Sequence, residues 1–385
     1  MKKWNKKINT SCIYYLGIVL LLSGTTGFAQ KEDSIDKLLL RNYRPKSIYN
    51  TPKTKIVKAK YRVIDVHAHV YAKTPKEVAR WIMSMDETGL EKTIILTQAY
   101  GPKFDSIYSL YSDYPDRFEV WCGFDYSGYD QPGFGPAAVA ELERCVQFGA
   151  KGVGELGDKG MGHIFCKPMA LGMHSNDPRM DPLYEKCAEL NLPVSLHVAE
   201  PMWMYLPMDS TNDGLMNAYN WRIDISKDNI VNHAGMMEIL HQTLQRHPKT
   251  TFIACHLANC SYDLNILGGM FDKYPNLYAD ISARFAETTQ IPHTVAAFFE
   301  KFQDRILYGT DMSTFNPGFY RTTFRILESF DEHFYLHDYF NFHWSFNAFG
   351  LDEYTLQKLY RTNALEIMQK RDKVLSQYLK VISTD

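Results

Sequence analysis

Two histidines one residue apart, His67 and His69, form the most compact chemical motif in the chain. Thirteen histidines in 385 residues would produce about 0.4 such pairs by chance, so the pair alone decides little. Its setting adds weight. Residues two apart in a strand face the same side, so Asp65, His67 and His69 are all expected at one end of a single strand. Two imidazoles so placed can share a metal ion. Further nitrogen and oxygen donors close other β-rich runs: Glu155 in KGVGELG, His197 in VSLHVAEP, His256 in FIACHLAN and Asp311 in ILYGTD. Any one of these histidines alone would be read as a hydrogen-bonded structural residue. As a set, they suit a divalent metal with a position left for water, zinc first and manganese as an alternative, one or two ions per chain. Such an ion lowers the pKa of water from ~15.7 toward ~7 and polarises a carbonyl under attack. No G-x-S-x-G elbow offers a serine nucleophile instead.

The elements that must carry these residues alternate. β-rich runs fall at 62–67, 92–97, 118–124, 150–156, 193–198, 251–256, 276–281 and 305–310. Helical patterns lie at 75–88, 103–113, 136–148, 181–190, 235–246, 261–273, 293–303 and 318–328, with a final helix at 352–371. Eight strand–helix units predict an α/β fold of the (β/α)8 TIM-barrel class, with long loops at the C-terminal mouth where such barrels place their chemistry. A doubly wound open sheet would call for a glycine-rich phosphate loop after the first strand, and His67-Ala68-His69 stands there.

The segments IDVHAH, LHVAEP, ACHLAN and YGTD resemble the metal-dependent hydrolases of the amidohydrolase superfamily, particularly its amidohydrolase-2 branch. The resemblance runs from about Tyr61 to Asn363, where RTNALEIM is similar to that branch's closing segment. It implies that His67, His69 and His197 are metal ligands and that Asp311 contacts both metal and water, accepting the water proton. His256 then either activates water beside one metal or ligates a second. GVGELG is similar to the glutamate strand of TatD-like hydrolases, which implies Glu155 as a ligand bridging two metals. The alternative for Glu155 is a buried salt bridge to Lys151 or Arg284. Asp65 and Asp280 are expected to support the ligands rather than bind metal.

Three loops at the mouth are long: 157–181, 199–232 and 330–349, the last with nine aromatic residues in twenty positions. Such aromatic content argues for packed loops, a few of whose rings can stack on a substrate. Arg284, past the seventh strand, is expected to anchor a substrate carboxylate, and Trp203 to contact substrate. His163 and His174 are read as loop structure or substrate contacts.

Charge and composition narrow the setting. The net charge is -2, but Lys2, Lys3, Lys6 and Lys7 give the first 29 residues +4 and leave -6 for the remainder. Neither part suggests nucleic acid as a partner. The basic start, the apolar stretch from Cys12 to Leu22 and the small residues Gly27 and Ala29 read as a signal peptide over 1–29, cleaved after Ala29. Eleven apolar residues fall short of the ~20 that span a bilayer, so no stable membrane insertion is expected after cleavage. A polar lead-in follows at 30–60 with one short helix near Ser34–Arg41, then the barrel at 61–371 and a C-terminal tail at 372–385. The six cysteines past the leader include no C-x-x-C and are read as buried or free thiols. The expected protein is therefore a periplasmic or secreted metal-dependent hydrolase, cleaving an amide, lactone or other ester bond of a small molecule. A metal-dependent non-oxidative decarboxylase is the alternative enzyme. A non-catalytic binding protein on the same scaffold is the second alternative.

Overall fold

The computed structural model describes residues 35–311 and 316–382. The expected signal peptide lies outside these residues. The chain divides into two units between Asn42 and Tyr43. The described part of the first holds single 3₁₀ turns at Ile35–Lys37 and Leu40–Asn42, where one short helix was expected.

The second unit carries eight parallel strands: β1 (Val63–Ala68), β2 (Leu90–Leu96), β3 (Phe118–Trp121), β4 (Val153–Asp158), β5 (Val194–Val198), β6 (Phe252–Ala254), β7 (Leu277–Asp280) and β8 (Ile306–Leu307). They pair in sequence order as β1-β2-β3 and as β4-β5-β6-β7-β8, and β4 also pairs with a small antiparallel ladder, Gly162–His163 with Ala170–Leu171. Backbone hydrogen bonds cross both gaps between these sheets. At one, Cys122 N–H donates to the Gly152 carbonyl at 3.0 Å and Gly154 N–H to the Cys122 carbonyl at 2.8 Å. At the other, Val66 N–H donates to the Tyr308 carbonyl at 3.0 Å and Asp311 N–H to the His67 carbonyl at 2.8 Å. The strands thus form the expected TIM barrel.

Local sequence explains the connecting elements. The helix Pro75–Thr88 begins with Thr74, whose side chain accepts the Glu77 N–H, while Glu77 accepts the Lys73 N–H at 2.7 Å. It ends at Gly89, whose φ of 95° suits glycine, and buries Val78, Trp81 and Met85. Ile64, Val66, Ile94, Leu96, Trp121, Ile253 and Leu307 form an inner cluster with Ala364, Ile367 and Met368 of the last helix. Each such aliphatic side chain contributes about 1.5–3 kcal/mol by leaving water. The last helix, Asn363–Ile382, follows a π-helical turn at Lys358–Thr362 and continues well past 371. Residues 372–382 are therefore helical rather than a separate tail. Its fully buried Arg371 forks onto Glu119 at 2.7 and 2.9 Å, a satisfied buried charge that holds the helix against β3.

β6 and β8 are shorter than expected, and after β6 the chain leaves extended geometry early. His256, Leu257, Ala258 and Asn259 all have φ between 52° and 60°. Left-handed backbone is disfavoured for non-glycine residues, so surrounding contacts must hold this run. They do so: Asp280 Oδ1 accepts the His256 N–H at 3.1 Å, and Asn259 Nδ2 donates to the Val198 and Ala199 carbonyls at 3.0 and 3.2 Å. No described helix is long and apolar enough to cross a membrane.

Candidate metal centre

The strand ends bring His67, His69, Glu155, His197, His256 and Asp311 to one place. Glu155 Oε1 lies 2.6 Å from His197 Nδ1, 3.4 Å from His256 Nε2 and 3.8 Å from His67 Nε2. Its Oε2 lies 3.4 Å from His69 Nε2. Asp311 closes the ring, with His69 Nε2 at 3.1 Å and His67 and His256 Nε2 each at 3.8 Å. Glu155 thus makes neither alternative salt bridge: Lys151 faces Asp372, and Arg284 bonds Glu287 at 2.6 Å.

Hydrogen bonds on the outer side of the rings decide which nitrogens face inward. His69 Nδ1 meets the Leu96 carbonyl at 2.9 Å, and His256 Nδ1 meets the Ser282 carbonyl at 2.9 Å. A carbonyl only accepts, so both Nδ1 atoms carry a proton and both Nε2 atoms are left facing the carboxylates. His67 Nδ1 meets Asp280 Oδ2 at 2.9 Å, and its buried Nε2 has no hydrogen-bond partner. Nitrogens and carboxylate oxygens this close need a proton or a cation between them. This donor set, mixed N and O with buried orphaned nitrogens, fits a divalent metal. Sets of three donor atoms within 4.8 Å of one another include His67–His69–Glu155 and Glu155–His197–His256.

Burial opposes a charge on His67 and His69, yet Asp280 raises the first and Asp311 and Glu155 raise the second well above the usual range. Burial opposes ionisation of Glu155, yet His197, His256 and His69 hold its carboxyl well below the usual range. Burial likewise opposes Asp311, whose carboxyl His67, His69 and His256 hold low. Burial disfavours a charged His197, but Glu155 raises it to about 9. His256 goes the other way: burial dominates and keeps it neutral. The acids are ionised at neutral pH and attract a cation.

Supporting residues differ from expectation in part. Asp65 does not reach the cluster. Its Oδ1 accepts the His67 and Thr310 N–H groups at 3.1 and 3.0 Å, and its Oδ2 accepts the Thr310 hydroxyl at 2.6 Å. The β1–β2 register shifts between Asp65 and Ala68, which breaks the simple two-residue alternation. Asp280 is the brace expected of it, bonding His67, the His256 N–H and Ser282. Trp203 is misplaced by the sequence reading: it packs against Trp344, ring centroids 6.3 Å apart, and does not line the cavity over the cluster. His163 stacks on Tyr126, and His174 bonds Asp158 at 2.8 Å.

That cavity has a volume of about 300 Å³, within the range of small-molecule sites. His197, His256 and Asp311 form part of its wall beside Lys159, Glu200, Trp221 and Arg284, and Tyr339, Phe340 and Phe342 come from the aromatic loop. Arg284 is buried and its Nε–H has no partner. Three contributors escaped the sequence reading. Tyr71, whose hydroxyl donates to Asp311 at 3.3 Å, continues the alternate spacing of His67 and His69. Glu200 lies within LHVAEP itself, and Lys159 follows the β4 glutamate closely, but neither type marks a ligand by spacing alone. A larger hollow of about 690 Å³ lies at the opposite barrel end, among Arg62, Lys92, Arg117 and Glu119, and no histidine or cysteine lines it.

The Amidohydrolase family model, Amidohydro_2, matches residues 64–368, most of the chain and every strand that carries the cluster. The chain belongs to the amidohydrolase family. Among solved structures, this amidohydrolase is similar to an uncharacterised TIM-barrel protein from Bordetella bronchiseptica, with 16% identity, a TM-score of 0.52, and coverage of 81% of this chain and 99% of that one. It is also similar to Amidohydrolase 2 from Bifidobacterium longum subsp. infantis, with 12% identity, a TM-score of 0.44, and coverage of 80% and 99%. IDCase from Metarhizium anisopliae gives 10% identity, a TM-score of 0.47, and coverage of 80% and 97%. No curated protein sequence matches the chain.

Proposed function

We propose that this amidohydrolase is an exported, metal-dependent hydrolase of a small molecule, cleaving an amide, lactone or other ester bond. One observation carries the reading: three histidines, each with Nδ1 held by an oxygen on its outer side, aim their Nε2 atoms at two carboxylates beside a small cavity. His67, His69, His197 and Asp311 would hold a divalent ion, zinc by donor type, with Glu155 and His256 positioned to share it or hold a second. When bound, the ion supplies Lewis acidity, lowering the pKa of water and polarising a carbonyl.

The chain's own groups do the rest. Asp311, ionised and with its side chain 25% exposed, is the carboxylate of the cluster that reaches the cavity, and it accepts a proton from water and returns it to the leaving group. Tyr71 orients that carboxylate through its hydroxyl. Arg284, in the cavity wall, supplies the positive charge for a substrate carboxylate, and Phe340 and Phe342 add apolar surface to that wall. The same Arg284 charge favours a carboxylate-bearing substrate, which keeps the non-oxidative decarboxylase as the second reading.

A panel of lactones, esters, amides and small carboxylic acids, assayed in H₂¹⁸O, separates the readings. Hydrolysis places one ¹⁸O in the acid product, and a chelator abolishes it until metal is restored. Release of CO₂ without ¹⁸O in the organic product would replace hydrolysis by decarboxylation. No turnover by the metal-loaded protein across the panel would count against both.

A further inference from the structure

Each histidine of the cluster except one has its outer nitrogen fixed by an oxygen at 2.9 Å: His67 by Asp280, His69 by Leu96 and His256 by Ser282. His197 is reversed. Its Nδ1 faces inward, 2.6 Å from Glu155, and its buried Nε2 points outward with no hydrogen-bond partner. The carboxylate facing that nitrogen is Glu200, whose Oε2 lies 3.8 Å away.

We propose that Glu200, braced by Lys159, is the positioning residue that holds His197 with Nδ1 toward the metal. This rests on the metal-site reading above. Nδ1 can donate a lone pair only if the ring proton sits on Nε2, and a proton there needs a buried acceptor. Glu200 is built to be one. The left-handed turn at Ala199, φ 64°, brings residue 200 back beside residue 197. Glu200 is 3% exposed, and its N–H is taken by the Tyr205 hydroxyl at 3.1 Å. A buried carboxylate without a counter-charge is costly, and the Lys159 ammonium supplies that charge by bonding Oε1, which leaves Oε2 for His197.

Lys159 is itself held in place. Its ammonium lies 5.2 Å from the Phe165 ring centroid and 5.1 Å from that of Trp221. Phe165 in turn packs edge-on against His197 at 5.3 Å. Lysine, glutamate, histidine and phenylalanine thus enclose one another.

The test measures zinc affinity by competition with a chromophoric chelator for the full-length protein and for Glu200→Leu, Glu200→Gln and Lys159→Met. It adds ¹⁵N-histidine spectra that report the His197 tautomer. The expected result is a loss of about 10–100-fold in zinc affinity for Glu200→Leu, with a mixed His197 tautomer. Glu200→Gln keeps an acceptor oxygen and should recover most of that affinity. Lys159→Met should fall between them. Wild-type affinity in Glu200→Leu, with Nε2 still protonated, would overturn the proposal. If Glu200→Leu does not fold, equal affinity and an equal tautomer in Lys159→Met and wild type would overturn it. A wild-type protein that binds no zinc would instead overturn the metal-site reading itself.

Discussion

Asp280 Oδ2 lies 2.9 Å from His67 Nδ1, so one buried carboxylate decides which nitrogen of His67 faces the centre. Its other oxygen accepts the N–H groups of His256 and Ser282 at 3.1 and 3.0 Å. Asp280 therefore ties a first-strand donor to the left-handed turn after the sixth strand. Asp280→Ala is expected to lower metal affinity about 10–100-fold, because the rings lose their fixed orientation. It should also destabilise the fold by several kcal/mol, since each buried donor left unpaired costs about 1–3 kcal/mol. Metal competition and urea unfolding on the same preparation check both, and unchanged metal affinity would remove Asp280 from the account.

Gly309 is the second point where backbone and site meet. A Cβ there would lie 2.9 Å from the Cβ of His67 and 3.2 Å from that of Ser282. Gly309→Ala is thus expected to push His67 out of register and cost about 1–3 kcal/mol through overpacking. Unfolding curves and metal content read the two effects separately. A variant matching the wild type in both would show that the neighbours yield freely.

His163 makes stability depend on acid. Burial lowers its pKa to about 4, and His174 adds to this while Asp158 opposes it. Its folded pKa lies below its unfolded value of about 6.5, so the unfolded chain binds a proton that the folded chain excludes. Its stability contribution is complete above pH 6.5 and is lost as pH falls toward 4. At pH 5 the loss is about 2 kcal/mol. His163→Phe, which keeps an aromatic ring on Tyr126, should lack this component. Urea unfolding of both proteins at pH 7 and pH 5 gives the difference. Equal acid sensitivity would rule out His163 as its source.

Much of the site was legible because its donors close β-rich runs of recognisable length. His67, His69, His197 and Glu155 lie within two residues of where the alternation placed strand ends. What stayed hidden depends on contacts between distant residues. The left-handed run at His256–Asn259 follows no glycine, and it exists because Asp280 and Asn259 hold it. Asp65 shares the two-residue spacing of the ligands, yet its carboxylate is taken up by the His67 and Thr310 N–H groups and the Thr310 hydroxyl. Trp203 illustrates the loops, where a ring's packing partner, here Trp344, comes from far along the chain. The last helix overruns its expected end because Arg371 and Leu375 are buried against the barrel, which amphipathic spacing near the terminus did not reveal.

Metal quantification on the purified protein tests most directly whether these side chains hold a catalytic metal. The wild type is expected to carry at least one divalent ion per chain, and His67→Ala to lose it. Glu155→Ala counts the ions: retention of a single wild-type ion would limit the centre to one metal, and a fall from two to one would establish a pair. A wild type without metal at neutral pH, or His67→Ala at full occupancy, would contradict the account.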